Sequence, residues 1–458
     1  MPLRRLEPIA IALAAAAIAA ALTAIAYEPG PAVAVGAVGV LLAATLALVR
    51  PVAAAGVALS LIPLEVLSVS LGGAAALSPA EAMFALTGWT WFLRRVFTGE
   101  PVLVPSPLNK PVALLLLGSA AGILIAEDTF TAMKITVMWT SFALVYLMLV
   151  AEGTPATIRS LLLVLVAVGG IVAVVALDKL QGRSPELLEQ GAIASGRATG
   201  SFAHPNVLAA FFVIVLPLAV VFAVSGRLAL RPWVAALFVL TLVALAVSLS
   251  RGGLLAFAGS LVVLLLWRPA RRAAALACGL LLVLSLAGAN PLLESKEAQL
   301  IVRRIESIQY TGASTGDART QLWAAAPEIF EDHLLLGVGG GNFPTVAPRY
   351  GLVSRQGDVY LHAHNAVLTV AAERGLVGLL AIAWGTIALV VVLVRACRVP
   401  GTASQAVAFG VTTALVGSAL KGIVDYDMST NVIAALLFLL AGCGVIMSRA
   451  AADSASGG

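Results

Sequence analysis

The sequence predicts an all-α polytopic membrane protein with about 12–14 transmembrane helices. Three observations predict it. The 458 residues are 60% hydrophobic and 11% charged, where a soluble chain carries about 25% charge. Mean hydropathy is +1.02. Apolar runs recur at the length that crosses a bilayer as a helix. Helices suit such runs because hydrocarbon offers a backbone N–H or C=O no partner outside its own segment.

In order, the candidate spans are residues 8–27, 31–49, 52–71, 75–93, 111–126, 131–150, 159–177, 206–224, 233–250, 253–267, 273–289, 376–394, 404–421 and 430–448. Pro63, Gly72, Gly73 and Pro79 interrupt the pattern around the third to fifth of these. Residues 6–27 lack a small-residue cleavage site and read as a first span rather than a signal peptide. The net charge of +5 resembles a nucleic-acid signal until the basic residues are placed. Arg4, Arg5, Arg50, Arg94, Arg95, Lys110, Arg159, Arg227, Arg231, Arg268, Arg271, Arg272, Arg395 and Arg398 then fall on one side. The positive-inside rule makes that side cytoplasmic, and both termini lie there.

The opposite face receives residues 178–205, the joint at Arg251, a long loop over 290–363 and the joint after Lys421. The chain divides accordingly. Transmembrane helices occupy 1–289, including the short outer segment 178–205, and the large loop occupies 290–363. C-terminal transmembrane helices follow over 364–450, with a cytoplasmic tail over 451–458. All four histidines, His204, His333, His362 and His364, land on the outer face.

The outer loop carries helical patterning. Ile301, Ile305 and Ile308 form one stripe beside Arg303 and Arg304. Leu322, Trp323, Ala326, Ile329 and Phe330 form another. These predict two helices that either lie on the membrane surface or cover a substrate, and the two roles are compatible. The run "LLGVGGGNFP" over 335–344 lacks the Lys-Ser/Thr of a phosphate loop and predicts a tight turn. Cys278, Cys397 and Cys443 have no metal-ligand spacing and read as packing residues.

Ionisable residues at membrane depth are expensive and point to function. In "GRATGSFAHPNVLAAFF", Arg197 and His204 precede a span that starts at Pro205-Asn206. Asn206 there fits a helix cap and Arg197 an interfacial anchor; a functional Arg197 would hold an anion at the membrane surface. In "SLSRGGLLAF", Arg251 stands between two apolar runs, and Gly252 and Gly253 let backbone or ligand approach closely. In "LHAHNAVLTVAAERGLVG", His362 and His364 open a span. No third ligand with recognisable spacing follows, which argues against zinc, whereas a histidine there is suited to take a proton from a hydroxyl. In "KGIVDYDMS", Asp425 and Asp427 form a D-x-D, read either as a cation site or as a Lys421–Asp425 helical pair beside a solvated Asp427.

Together these stretches resemble one family. "HNAVLTVAAERGLVG" resembles the His-[Asn/Ser/Gln]-nine residues-Gly-x-x-[Gly/Thr/Tyr] pattern of the O-antigen ligase and Wzy-type polymerase superfamily. His364 and Asn365 open it, and Gly375 and Gly378 close it. "RATGSFAHPNVLA", "SLSRGG" and the stretch "DARTQLWAAAPEIFEDHLLLGVGGGNF" resemble further segments of that family in the same order. The resemblance covers roughly residues 195–450. It implies a GT-C-type helical fold with a large helical periplasmic loop, in the cell inner membrane, with its active site on the periplasmic face. The implied activity is glycosyl transfer from an undecaprenyl-diphosphate-linked glycan to an acceptor hydroxyl, inverting and without metal or other cofactor. Membrane lipids and a glycan acceptor such as lipid A–core are the implied partners, and nucleic acid is not.

The resemblance assigns His364 as general base, with Arg197 and Arg251 on the donor diphosphate. Arginine suits a diphosphate that leaves as an anion, because its charge is permanent and its fork fits phosphate oxygens. Arg319, Asp317, His362, His204, Asn365 and Lys421 are secondary candidates, Asp317 as a support for Arg319. Ligase, polymerase and protein O-oligosaccharyltransferase share donor and base, and the glycine pair of the last motif favours the ligase. A transporter or flippase would also need many spans, but such proteins often show repeated halves and charge near the midplane. This chain shows no internal repeat, and its polar residues gather at one face.

Overall fold

The computed structural model describes residues 31–65, 67, 69–71, 75–181, 197–225, 229–288, 316–353, 359–398 and 403–456. Within them the chain is a helical bundle. Helix α1 (Pro31–Val49) and α2 (Pro51–Ser60) lead to a small antiparallel hairpin of β1 (Val69–Leu71) and β2 (Ala75–Leu77), with Val69 opposite Leu77. Then come α3 (Pro79–Thr98), α4 (Asn109–Ile123), α5 (Thr129–Glu152), α6 (Pro155–Gln181), α7 (Pro205–Ser225), α8 (Arg231–Val247), α9 (Arg251–Leu266) and α10 (Arg271–Gly288). The outer-loop segment contributes α11 (Gly316–Asp332) and a single turn, α12 (Phe343–Val346). Helices α13 (Ala366–Cys397), α14 (Ala403–Gly422) and α15 (Asn431–Ser456) complete the bundle.

The protein is therefore an all-α polytopic membrane protein with one minor hairpin. Among the described residues, α5, α6, α7, α13 and α15 are long and apolar enough to cross a membrane, and several shorter apolar helices accompany them. The expected span over 52–71 is corrected: α2 stops at Ser60, and a 3₁₀ turn over Ile62–Leu64 runs into the hairpin. Pro63, lacking an N–H and crowding the preceding turn, is the local reason. The expected first span at 8–27 and the isoleucine stripe at 301–308 lie outside the described residues.

Local chemistry explains the boundaries. Ser78 and Glu81 form a reciprocal capping box at the start of α3, with Oγ and Oε2 accepting at 3.2 and 3.0 Å. Gly99, at φ 71°, ends that helix. Asp128, Ser250 and Asn365 cap α5, α9 and α13. Helix α7 is the hub. Its residues from Leu208 to Phe222 are buried on every face, which is why its sequence is apolar all round. Helices α8, α9 and α14 pack around it, while α15 packs on α5 and α13.

Helix α11 forms where the stripe at Leu322, Ala326 and Ile329 predicts it, but that face does not meet lipid. It is buried against Val338, Phe343, Val346 and Ala363 in a small separate core, and Trp323 Nε1 donates to Ala363 O at 3.1 Å. The apolar stripe is satisfied by protein.

Candidate active site

Four chain joints meet at one end of the bundle, and direct hydrogen bonds tie them together. From the segment before α7, Arg197 donates through Nε to Ser248 O at 2.9 Å and through Nη2 to Asn206 Oδ1 at 2.8 Å. Asn206 passes the link on, its Nδ2 donating to Asp425 Oδ2 at 2.9 Å. Ser250 Oγ donates to Asn206 Oδ1 at 3.2 Å. Asp425, in the joint between α14 and α15, is the node. Its other oxygen lies 3.0 Å from His364 Nδ1.

The α8–α9 joint is built for close approach. Leu249 adopts φ 51°, turning the chain so that Ser250 can cap α9. A Cβ on Gly253 would lie 2.7 Å from Ala209 Cβ, and one on Gly252 2.9 Å from Val424. The two glycines thus admit α7 and the α14–α15 joint to the start of α9, the close approach expected of that Ser-Arg-Gly-Gly turn. Arg251 occupies the first turn of α9, half-buried.

Lys421, at the end of α14, is 1% exposed and lies between two carboxylates, 3.4 Å from Asp425 Oδ2 and 2.5 Å from Asp427 Oδ1. Lys421 and Asp425 are therefore paired, although Asp425 lies beyond the end of α14 and the pair is not on a helix face. The companion reading of Asp427 as solvated is corrected, because its side chain is 11% exposed and bonded to Lys421. In this D-x-D the cation between the carboxylates is an ammonium.

Charge states follow from these contacts. Burial pushes the Asp425 carboxyl up, but the His364 hydrogen bond and the Lys421 charge outweigh it and hold it well below the usual carboxylate range. Asp427 is pushed up to about 6, by burial first and by Asp425 in addition, against the pull of Lys421. His362 is lowered to about 4, chiefly by burial and then by His364. It is neutral at neutral pH, and its Nδ1 accepts the backbone N–H of His364 at 3.2 Å.

His364 itself adopts φ 50°, rare for a residue with a Cβ. Its side chain is 32% exposed, open to a reactant. A neutral His364 that donates Nδ1–H to Asp425 presents Nε2 as a proton acceptor.

The structure brings together Arg197, His204, His362, His364, Asn365 and Lys421. His204 Nδ1 accepts the Asn206 N–H at 3.1 Å. Asn365 caps α13 through Oδ1 and reaches Ile423 O through Nδ2 at 2.9 Å, so it joins two site segments. Arg319 lies in the first turn of α11, outside this network, and the Asp317 side chain is not among the described residues. Asn206 is a bridge between Arg197 and Asp425 rather than a helix cap. Sequence reasoning missed both Asn206 and Asp425 as site members. The local signals for the latter were its D-x-D with Asp427 and its four-residue spacing from Lys421, and neither pointed to His364.

The fold also gives the two histidines the third donor that the local sequence lacks. His362, His364 and Asp425 each bring one donor atom within 4.8 Å of the others, a set of the kind that holds a metal ion. His364 and Asp425 engage each other there, and Lys421 adds positive charge beside the carboxylate.

An apolar cavity of about 560 Å³ opens beside the site. Asn365, Lys421 and Asp427 line it together with Tyr146, Leu115, Ala381 and Leu437.

The fold and site define a polytopic helical membrane protein with a histidine–aspartate pair, linked to an arginine through Asn206, beside an apolar cavity that Asn365, Lys421 and Asp427 help to line. A family model described as O-antigen ligase matches residues 236–383. Residues 236–383, less than half of the chain, thus resemble a domain of that family, and the match supports a membrane glycan-processing enzyme of the ligase or polymerase type. The matched segment contains Arg251, His362, His364, Asn365, Gly375 and Gly378, while Arg197, Lys421 and Asp425 join it through the fold. No curated protein matches the chain.

Proposed function

We propose that the protein is a glycosyltransferase that moves a glycan from an undecaprenyl-diphosphate-linked donor to an acceptor hydroxyl at the periplasmic face of the inner membrane. It acts as an O-antigen ligase, with lipid A–core as acceptor. The observation that carries this reading is the His364–Asp425 contact at 3.0 Å, joined through Asn206 to Arg197.

In this mechanism His364 Nε2 takes the proton of the acceptor hydroxyl as its oxygen attacks the anomeric carbon. The bond from that carbon to the diphosphate oxygen breaks in the same displacement, inverting the centre. The bonding pair leaves with the diphosphate, whose growing charge Arg197 and Arg251 receive. General-base help of this kind contributes roughly 10²–10⁴ in rate, and loss of one preorganised cationic donor costs about 10²–10³. Asp425 keeps the imidazole in the proton-accepting tautomer and stabilises its cation after transfer. This scheme invokes no metal, and Lys421 offsets one of the two negative charges of Asp425 and Asp427. The cavity beside Lys421 suits the hydrocarbon of a lipid-linked substrate, with its reacting end at the rim.

The test uses purified protein in detergent with a polyprenyl-diphosphate oligosaccharide, run with and without lipid A–core, and with chelator and His364→Ala controls. One discrete product that requires the added acceptor, insensitive to chelator and lost in His364→Ala, supports the ligase. A ladder formed without acceptor means polymerase. No transfer under any condition refutes the transferase reading.

A further inference from the structure

Helix α11 turns its apolar stripe into protein and sends Trp323 toward the histidine segment. Trp323 Nε1 donates to Ala363 O at 3.1 Å. Ala363 stands between His362 and His364 and is fully buried in the small core that holds Leu322, Ala326 and Ile329.

The peptide joining Ala363 to His364 is held at both of its polar groups. Its carbonyl accepts from Trp323, and its N–H donates to His362 Nδ1 at 3.2 Å. One peptide earlier, Ala363 N–H donates to Thr369 Oγ1 at 3.2 Å, and the same hydroxyl donates to Asn365 O at 2.8 Å. One residue later, Asn365 Oδ1 accepts Leu368 N–H at 3.0 Å as the cap of α13. His364 is thus bracketed on both sides. Its φ of 50° is a conformation that a residue with a Cβ keeps only where its surroundings hold it. Because Ala363 is 0% exposed, water does not reach its carbonyl, and turning that peptide away from Trp323 would strand a buried acceptor.

Helix α11 can serve as a fixed anchor because the segment that follows it is locked to α13. Gly337 and Gly375 cross so closely that a Cβ on Gly337 would lie 2.3 Å from the Glu373 carbonyl carbon. A Cβ on Gly375 would meet Leu335 backbone at 2.5 Å. Helix α13 breaks at Gly375, with φ 58° and ψ −155°, and backbone groups around the break pair with the loop. Val338 N–H donates to Ala372 O at 2.9 Å, Gly339 N–H to Glu373 O at 3.0 Å and Leu376 N–H to Leu334 O at 2.8 Å. Asn342 ties the same segment to the start of α5, its Oδ1 accepting Asp128 N–H at 2.7 Å while Nδ2 donates to Asp128 O at 3.2 Å.

We infer that Trp323 is a positioning residue for the catalytic histidine: from α11 it fixes the Ala363–His364 peptide and with it the left-handed turn that presents the imidazole to Asp425. Thr369 holds the preceding peptide from the other side. The inference rests on the reading of His364 as the base. It gives α11 a task distinct from covering a substrate, since its indole grips the backbone of the base.

The test compares Trp323→Phe and Thr369→Val with the wild type. Trp323 is 38% exposed, so the smaller ring removes the N–H donor without opening a closed cavity. Thr369→Val removes the hydroxyl and keeps the branched shape. The chain has four histidines, few enough to resolve singly by NMR of histidine-labelled protein in lipid nanodiscs. Both variants are expected to move the ring resonances of His362 and His364 and to leave His333, just beyond α11, unchanged. Each should lower kcat about tenfold or more, with KM for donor and acceptor unchanged, as misalignment without loss of binding predicts. A rise in KM alone in Trp323→Phe would make α11 a substrate cover and overturn the inference. Unmoved His362 and His364 resonances, or an equal movement of His333, also overturn it. The resonances report whether or not the protein transfers glycan, so failure of this inference and failure of the transferase reading remain distinguishable.

Discussion

His364 Nδ1 and Asp425 Oδ1 lie 3.0 Å apart across 61 residues of sequence, and this contact organises the end of the bundle. The second oxygen of the same carboxylate receives Asn206 Nδ2 and lies near Lys421. One buried acid thus links the imidazole to a lysine directly and to Arg197 through an amide. Its carboxyl is held in the ionised form by those partners, so the imidazole has an anionic partner throughout the physiological range.

Asp425→Asn tests that link. The amide keeps the shape but can offer N–H to Nδ1, which reverses the histidine tautomer. We expect kcat to fall by about 10²–10⁴, measured with a defined lipid-linked donor. Activity within threefold of wild type would remove Asp425 from the mechanism.

Arg197→Lys and Arg251→Lys probe the cationic arm. Arg197 uses Nε and Nη2 on two protein acceptors, a geometry that one ammonium cannot reproduce. Each variant is expected to lose about 10²–10³ in kcat at unchanged protein level. Full activity in Arg251→Lys would place that residue outside the site.

Gly375→Ala and Gly99→Ala separate crowding from backbone strain. Both glycines have positive φ, 58° and 71°, but a Cβ on Gly99 has nothing within 4 Å. Gly99→Ala should therefore cost only about 1–2 kcal/mol. Gly375→Ala must also displace loop backbone and should be worse by a further 1–3 kcal/mol. Thermal melts of the two proteins decide this, and equal melting temperatures would refute the close crossing.

The pH dependence of stability tests the buried environment of Asp427. Its folded value, raised to about 6, lies above the unfolded value of about 3.9. Its contribution to stability is therefore full below about 3.9 and is lost as pH rises through about 6. The melting temperature of the wild type relative to Asp427→Asn should fall over that window. A flat difference would mean that Asp427 is not buried as described.

Much of this was legible before the fold. The membrane class followed from run length and charge scarcity, because a spanning helix is a local solution to a local hydrogen-bonding problem. The His364–Asn365 motif is also local, whereas the cap read at Asn206 is a bridge between Arg197 and Asp425 in the structure. Helix α11 was legible as a helix, but not in its partner, since periodicity shows that a face is apolar and not what covers it. The hairpin that replaced the expected span over 52–71 was missed because that run remains apolar while Pro63 ends its helix.

By itself the sequence determined a helical membrane protein with rare polar residues concentrated at one end. Only the tertiary structure decided which of those residues meet. Asp425 reaches His364, Asn206 bridges Arg197 to Asp425, and Gly337 crosses Gly375 because helices far apart in sequence pack side by side. No local propensity encodes such a pairing. It is selected by the close packing of α7, α9, α13 and α14, where small residues allow backbones to approach and a few buried polar groups must find one another.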